Sequence, residues 1–210
     1  MNYHSKTFNV YDKDFKQMIH SLLNSYKYKE IRDIELDING KKLQDPFILY
    51  VFGTNRLQLN ELEEAEYFLK KSVKNGNEFF EAIVNLAVVY EKQFKIKDAI
   101  SFYEKGLKIR PNHDATLFNL GKIYDRTKNF EKAEIFYNKT LDINPNFFDA
   151  SYNLSQLLLI KGVFKEGWKR YEDRFNILTR ENRVNKPDFS LPFWNLECKE
   201  SKLFFRPEQG

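Results

Sequence analysis

A repeat of 34 residues is the feature that most constrains how this chain can fold. The segment from Phe80 to His113 aligns with the segment from Asp114 to Phe147 when it is shifted by 34 positions. Eleven positions are then identical: Asn85/Asn119, Leu86/Leu120, Tyr90/Tyr124, Ala99/Ala133, Phe102/Phe136, Tyr103/Tyr137, Lys105/Lys139, Leu107/Leu141, Ile109/Ile143, Pro111/Pro145 and Asn112/Asn146. A fixed period of this length predicts helix–turn–helix units that stack on their own copies.

The apolar spacing inside each unit predicts two helices, which we call A and B. Counted from Phe80 as position 1, Ile83, Leu86 and Tyr90 lie on one face of helix A. Positions 8 and 20 are small (Ala87 and Ala99 in this unit), which allows the two helices to pack closely. A proline just after helix B ends the unit.

The register predicts four repeats, at residues 46–79, 80–113, 114–147 and 148–181. Residues 1–45 are predicted to be a short tail and a degenerate capping pair, with helices from Tyr11 and from about Tyr28, because Ile19 and Ile31 occupy the small positions. The last repeat departs from the pattern as well, since Arg174 occupies a position that is otherwise small. We expect the surface there to meet something other than another repeat.

These residues resemble the tetratricopeptide repeat (TPR) family. The resemblance implies an all-α, right-handed TPR solenoid in which the A helices line a concave groove, and a short extended tail follows it at residues 182–210. Because the groove-facing positions are 2, 5, 6, 9 and 13, Asn85, Asn119 and Asn153 form a ladder at position 6, which Val51 interrupts in the first repeat.

We predict that this groove binds a protein or peptide, because an amide offers both a donor and an acceptor to a peptide backbone. The alternative is that the asparagines are solvated and only part of the repeat pattern. The predicted binding residues are Asn85, Asn119, Asn153, Tyr50, Thr54, Val88, Phe118, Lys122, Tyr152 and Gln156, with Val84 beside them. They do not match the lysine–asparagine–arginine clamp of chaperone-binding TPR proteins, which disfavours a co-chaperone.

Charge and composition exclude several other classes of protein. The chain has 34 basic and 30 acidic residues without long runs of one sign, which argues against binding to nucleic acid. The single cysteine, Cys198, excludes an internal disulfide, and the three histidines lack the spacing of a metal site. We predict no cofactor, no metal, no membrane span and no signal peptide, and a cytoplasmic location.

The C-terminal part has a second resemblance. Glu166-Gly167-Trp168, Tyr171-Glu172 and Arg174, then Pro192 and Trp194, then Glu208-Gln209-Gly210 resemble the junction of bacterial TPR proteins with a glycosyltransferase-like domain of the heptosyltransferase (GT-B) type. This resemblance implies that residues 202–206 are the first strand of a transferase domain that uses a nucleotide sugar and would lie beyond Gly210. The expected function is therefore the substrate- or partner-binding arm of a larger protein, without catalytic residues of its own. The alternative is a stand-alone TPR scaffold or adaptor.

Overall fold

The computed structural model describes residues 12–38, 43–76 and 78–180. These residues form eleven helices and no strand. The chain divides into two units, of which the first runs to Ile143 and the second begins at Asn144. The first unit holds α1 (Lys13–Asn24), α2 (Tyr28–Ile38), α3 (Pro46–Gln58), α4 (Leu62–Asn75), α5 (Phe80–Lys92), α6 (Ile96–Ile109), α7 (Asp114–Arg126) and α8 (Phe130–Ile143), and the second holds α9 (Phe148–Ile160), α10 (Phe164–Tyr171) and α11 (Asp173–Arg180).

Helices α3, α5, α7 and α9 each begin at the first residue of a predicted repeat. Local chemistry explains the start of α3, because the side chain of Asp45 accepts hydrogen bonds from the amides of Phe47 (3.0 Å) and Ile48 (3.1 Å) and Pro46 occupies the first helical position. The predicted helices of the capping pair are α1 and α2. The predicted C-terminal strand and tail lie outside the described residues.

The turn between helices A and B uses the same backbone geometry in all four repeats. Position 15 has a positive φ in each: 61° at Asn60, 60° at Phe94, 62° at Lys128 and 78° at Gly162. Only the last repeat has a glycine there, so three side chains occupy a left-handed conformation that costs about 1 kcal/mol or more each. Backbone hydrogen bonds hold the turn in this geometry, because the amide after position 15 donates to the carbonyl oxygen of position 11, over 2.9 Å from Glu61 to Arg56 and over 2.8 Å from Asn129 to Tyr124.

Close packing of helix A on helix B depends on position 8. A Cβ atom added to Gly121 would lie 2.7 Å from the ring carbons Cδ1 and Cε1 of Tyr137, and one added to Gly53 would lie 2.6 Å from Cγ of Leu69. The side chain that meets position 8 is thus the large residue at position 24. Ala99 and Ala133, at position 20, are fully buried, so both small positions lie in the core.

The last repeat differs from the others in its helix B, which is divided at Glu172 into α10 and α11. Its position 27 is Arg174, where Ser72, Gly106 and Thr140 are buried in the other repeats. A guanidinium group is too large for such a site. Instead, it lies 4.3 Å from the ring centroid of Tyr171 and 4.2 Å from that of Phe175. The expectation of a full fourth repeat therefore holds for its helix A, whereas its helix B is broken.

The first full repeat contains a polar substitution in its core. Asn55 is fully buried at position 10, where the following repeats have Val89, Ile123 and Leu157. Neither its amide nitrogen nor its amide oxygen has a hydrogen-bond partner. Beside it, the buried Arg56 bonds Glu35 of α2 (2.6 Å) and Glu61 (2.7 Å). Burial lowers the pKa of Arg56, but the bonds to the two carboxylates outweigh it and raise that pKa, so this side chain stays charged.

We expect Gly121→Leu to lower the free energy of unfolding by about 3 kcal/mol, because the new side chain would have to displace the fully buried ring of Tyr137. Urea denaturation measures the change. Lys105→Leu, at an exposed position of α6, controls for an added leucine. Equal midpoints for the two variants would contradict the packing described here.

We expect Asn55→Leu to raise the free energy of unfolding by about 1–3 kcal/mol, since it removes two buried polar atoms that have no partner. The same denaturation experiment applies, with Asn24→Leu at the exposed end of α1 as the matched control. A loss of stability on replacing Asn55 would mean that its amide is hydrogen-bonded in solution.

Candidate functional site

Eight of the predicted groove residues lie on the A helices of the first unit, and we call them the A-helix row. All are half-buried except Thr54, which is buried. The row consists of Tyr50 and Thr54 on α3, Val84, Asn85 and Val88 on α5, and Phe118, Asn119 and Lys122 on α7. Val51, predicted to interrupt the asparagine ladder, is fully buried.

A hydrogen bond joins the first two helices of the row. The Nδ2 of Asn85 donates to Oγ1 of Thr54 over 2.9 Å. The bond uses one of the two amide N–H groups of Asn85 and fixes the orientation of the carbonyl oxygen. Because Thr54 is buried, we assign it to holding Asn85 in place. The amide of Asn85 therefore links two repeats, and its role in binding a peptide stays a prediction.

Asn119 belongs to a network between α5, α6 and α7. The hydroxyl of Tyr103 donates to Oε2 of Glu91 over 3.0 Å, and the nearby amide of Asn119 lowers the pKa of this hydroxyl. Burial and the neighbouring Glu91 raise the pKa of Tyr103 far above its ordinary value, so its hydroxyl remains a donor. Tyr103 is fully buried, which makes the network part of the core beneath the row.

The other oxygen of Glu91 faces two cations of α7. Its Oε1 lies 3.2 Å from a guanidinium nitrogen of Arg126 and 3.7 Å from Nζ of Lys122. Nζ of Lys122 also lies 5.6 Å from the ring centroid of Phe118. The α7 end of the row thus holds one carboxylate between two cations, and it carries more charge than the sequence analysis expects.

Aromatic rings define the α3 end of the row. The ring of Tyr50 packs edge-on against Phe79, with centroids 5.1 Å apart, and its centroid lies 6.2 Å from that of Phe47. Burial raises the pKa of the Tyr50 hydroxyl, and the nearby Glu81 raises it further, which outweighs a hydrogen bond to Thr54. This end therefore presents a neutral, mainly apolar surface.

The remaining predicted residues lie in the second unit, on α9. Tyr152 and Asn153 are half-buried, and Gln156 is exposed. The Nε2 of Gln156 donates to the hydroxyl of Tyr152 over 3.1 Å, and the Tyr152 ring lies 5.5 Å from that of Tyr171. These three side chains form a small polar and aromatic surface of their own within that unit.

Sequence reasoning missed Glu91, Tyr103 and Arg126. The sequence does contain a pattern that indicates the contact between Glu91 and Tyr103. The acid at position 12 and the tyrosine at position 24 recur in the next repeat as Asp125 and Tyr137. The hydroxyl of Tyr137 lies 3.5 Å from Oδ2 of Asp125, so the pair is a repeated contact.

Two further features concern the described part of the chain: groups of metal-binding side chains and helices that could span a membrane. It contains no group of three or more histidine, cysteine, aspartate or glutamate side chains placed to hold a metal ion. Likewise, none of its helices combines the length and the apolar character that crossing a bilayer requires.

Comparisons with known proteins agree with the repeat period and the helix order. Residues 78–146 match the sequence model described as Tetratricopeptide repeat. None of the curated proteins compared matches the chain. Among solved structures, the MamA RS-1 ArsTM double mutant is similar with a TM-score of 0.66 and 22% identity, covering 82% of this chain and 97% of its own. MamA 41-end from Desulfovibrio magneticus RS-1 is similar with a TM-score of 0.64 and 20% identity, covering 81% and 94% respectively.

At these identities, the likeness to MamA concerns the fold. Residues 78–146 are therefore similar to tetratricopeptide repeats, and the described residues have the all-α fold of TPR proteins.

Proposed function

We propose that the chain is a protein-interaction module and that the A-helix row binds an extended peptide segment of its partner. The observation that carries this proposal is the way the row holds its amides. Asn85 is bonded to Thr54 over 2.9 Å, and Asn119 is close to the buried Tyr103 hydroxyl, so the amide of Asn85 is oriented before a peptide arrives. A donor or acceptor that is already oriented loses less conformational entropy on binding.

The chemistry of the row suits a peptide backbone flanked by apolar side chains. One N–H group of Asn85 is committed to the repeat, and its carbonyl oxygen together with the second N–H group supplies an acceptor and a donor for a backbone. Val84, Val88 and Phe118 are half-buried beside these amides and offer apolar contacts. Lys122 and Arg126 favour an acidic side chain at the α7 end, because together they outweigh the single charge of Glu91.

A more specific proposal concerns the role of the module, either as the arm of a transferase or as a stand-alone scaffold. The resemblance of Glu166-Gly167-Trp168 and Glu208-Gln209-Gly210 to a TPR–glycosyltransferase junction supports a role as the arm that presents a substrate to a transferase. The likeness to MamA, at 22% identity, is compatible with a stand-alone scaffold as well. The intact mass of the native protein separates the two: a product much larger than 25.2 kDa supports the transferase arm, and one of that mass supports the scaffold.

We expect Asn85→Ala combined with Asn119→Ala to weaken peptide binding about tenfold, which corresponds to one or two lost hydrogen bonds. Binders would be selected from a library of random short peptides with the wild-type chain, and their Kd values measured by fluorescence anisotropy. The variant also loses the bond of Asn85 to Thr54, so a fall in stability of about 1 kcal/mol accompanies the loss of affinity.

Matched controls separate the two effects. Thr54→Val combined with Tyr103→Phe removes the bond of Asn85 to Thr54 and the hydroxyl near Asn119, together with its bond to Glu91, but retains both asparagine amides. We expect this pair of substitutions to lower stability to a similar extent and to weaken binding much less. If both double variants weaken binding equally, the asparagines serve only the stacking of repeats and the proposed role of the row is wrong.

A further inference from the structure

The second unit exposes four large apolar side chains around the turn between α9 and α10. We call Ile160, Val163, Phe164 and Trp168 the end patch. Their exposed fractions are 70%, 45%, 57% and 48%. Phe164 and Trp168 are four residues apart in α10 and therefore lie on one face of that helix, Val163 directly precedes α10, and Ile160 is the last residue of α9. A contiguous apolar surface of this kind marks a contact with another segment or protein.

The repeats of the first unit show what normally covers this surface. Phe164 and Trp168 occupy positions 17 and 21 of their repeat. At position 17 in α4, Leu62 is half-buried and its carbonyl oxygen accepts a hydrogen bond from Gln93 of the next repeat. At position 21, the side chain of Glu66 is only 15% exposed and pairs with Lys95 over 2.9 Å. In the first unit, the next repeat therefore covers this face of helix B. In the last repeat, the same face carries Phe164 and Trp168 of the end patch and is accessible to the residues that follow α11.

We propose that residues 189–196 of the same chain cover the end patch. This segment contains five large apolar residues in eight positions: Phe189, Leu191, Phe193, Trp194 and Leu196. Prolines at 187 and 192 favour an extended backbone before and within it. An extended segment directs alternate side chains to one side, so Phe189, Leu191 and Phe193 face the patch together.

Charge and chain length also favour this occupant. Lys165 and Lys169 are exposed on α10 beside the patch, whereas Arg170 is paired with Glu166. Residues 187–200 carry three acidic side chains, at 188, 197 and 200, against one basic side chain, at 199. Helix α11 extends the chain by only about 12 Å, and residues 181–188 span up to about 28 Å when extended, so the segment can return to α10. Because it belongs to the same chain, its effective concentration exceeds that of a second copy.

The two tryptophans of the chain, Trp168 and Trp194, give a direct test. In Trp194→Phe, the only remaining indole reports on the end patch. The reference is the same variant shortened to residue 180. Relative to it, we expect the emission of Trp168 in the full chain to be blue-shifted and its quenching by acrylamide to be about half as strong. The reason is that the tail covers most of the 48% exposed fraction of Trp168. Equal emission and equal quenching in the two chains would overturn the proposal.

A second measurement retains the full chain. Cys198, the only cysteine, would carry a short-range fluorescence acceptor in the Trp194→Phe background. We expect the acceptor to quench Trp168, and Leu191→Ser with Phe193→Ser to abolish the quenching, while Phe204→Ser in the same tail leaves it unchanged. If shielding of Trp168 disappears on dilution together with a dimer seen by light scattering, the occupant is a second copy and the proposal is wrong.

Discussion

The close approach of helix A to helix B is the constraint on which the rest of the structure depends. Gly121 lies directly beneath the ring of Tyr137, and Gly53 lies beneath Leu69 in the same way. A small residue facing a large one fixes the distance and the rotation between the two helices. Every other contact between hairpins depends on this geometry, because two hairpins stack in register only when each has the same shape.

The capping pair meets the first full repeat through a contact of a different kind. Position 11 is a tyrosine in the next two repeats, but here it is Arg56, which forms ion pairs with Glu35 and Glu61. The preceding position is Asn55, where the other repeats have an apolar residue. Burying charges gains little net stability, but removing one partner of such a pair costs about 3–5 kcal/mol. The interaction therefore specifies which helix docks on α3 more than it stabilises the fold.

Binding and stacking are coupled in the A-helix row. The amide of Asn85, which is proposed to bind a peptide, also connects neighbouring repeats through Thr54. A peptide that bonds Asn85 and Asn119 would thus bind best to the stacked arrangement, and it would stabilise that arrangement by mass action. In the same way, Glu91 connects the buried Tyr103 to the surface cations of α7.

The sequence by itself determined the period, the order of the helices and the residues at which the A helices begin. These properties are local or repeated. The small residues at positions 8 and 20 and the apolar spacing recur in the repeats, and Asp45 caps α3 through amides two and three residues away. The predicted all-α TPR fold is confirmed for the described residues. The asparagine ladder was identified from sequence as well, but its role as a peptide site remains a proposal.

Only the tertiary structure decided which polar groups meet. The bonds of Asn85 to Thr54 and of Arg56 to Glu35 join different hairpins. A repeat period does not specify the rotation between stacked hairpins, and a rotation of a fraction of a turn would bring other side chains together. For the same reason, the break at Glu172 could be suspected from Arg174, whereas the apolar surface left exposed beside it became visible only once the helices were packed.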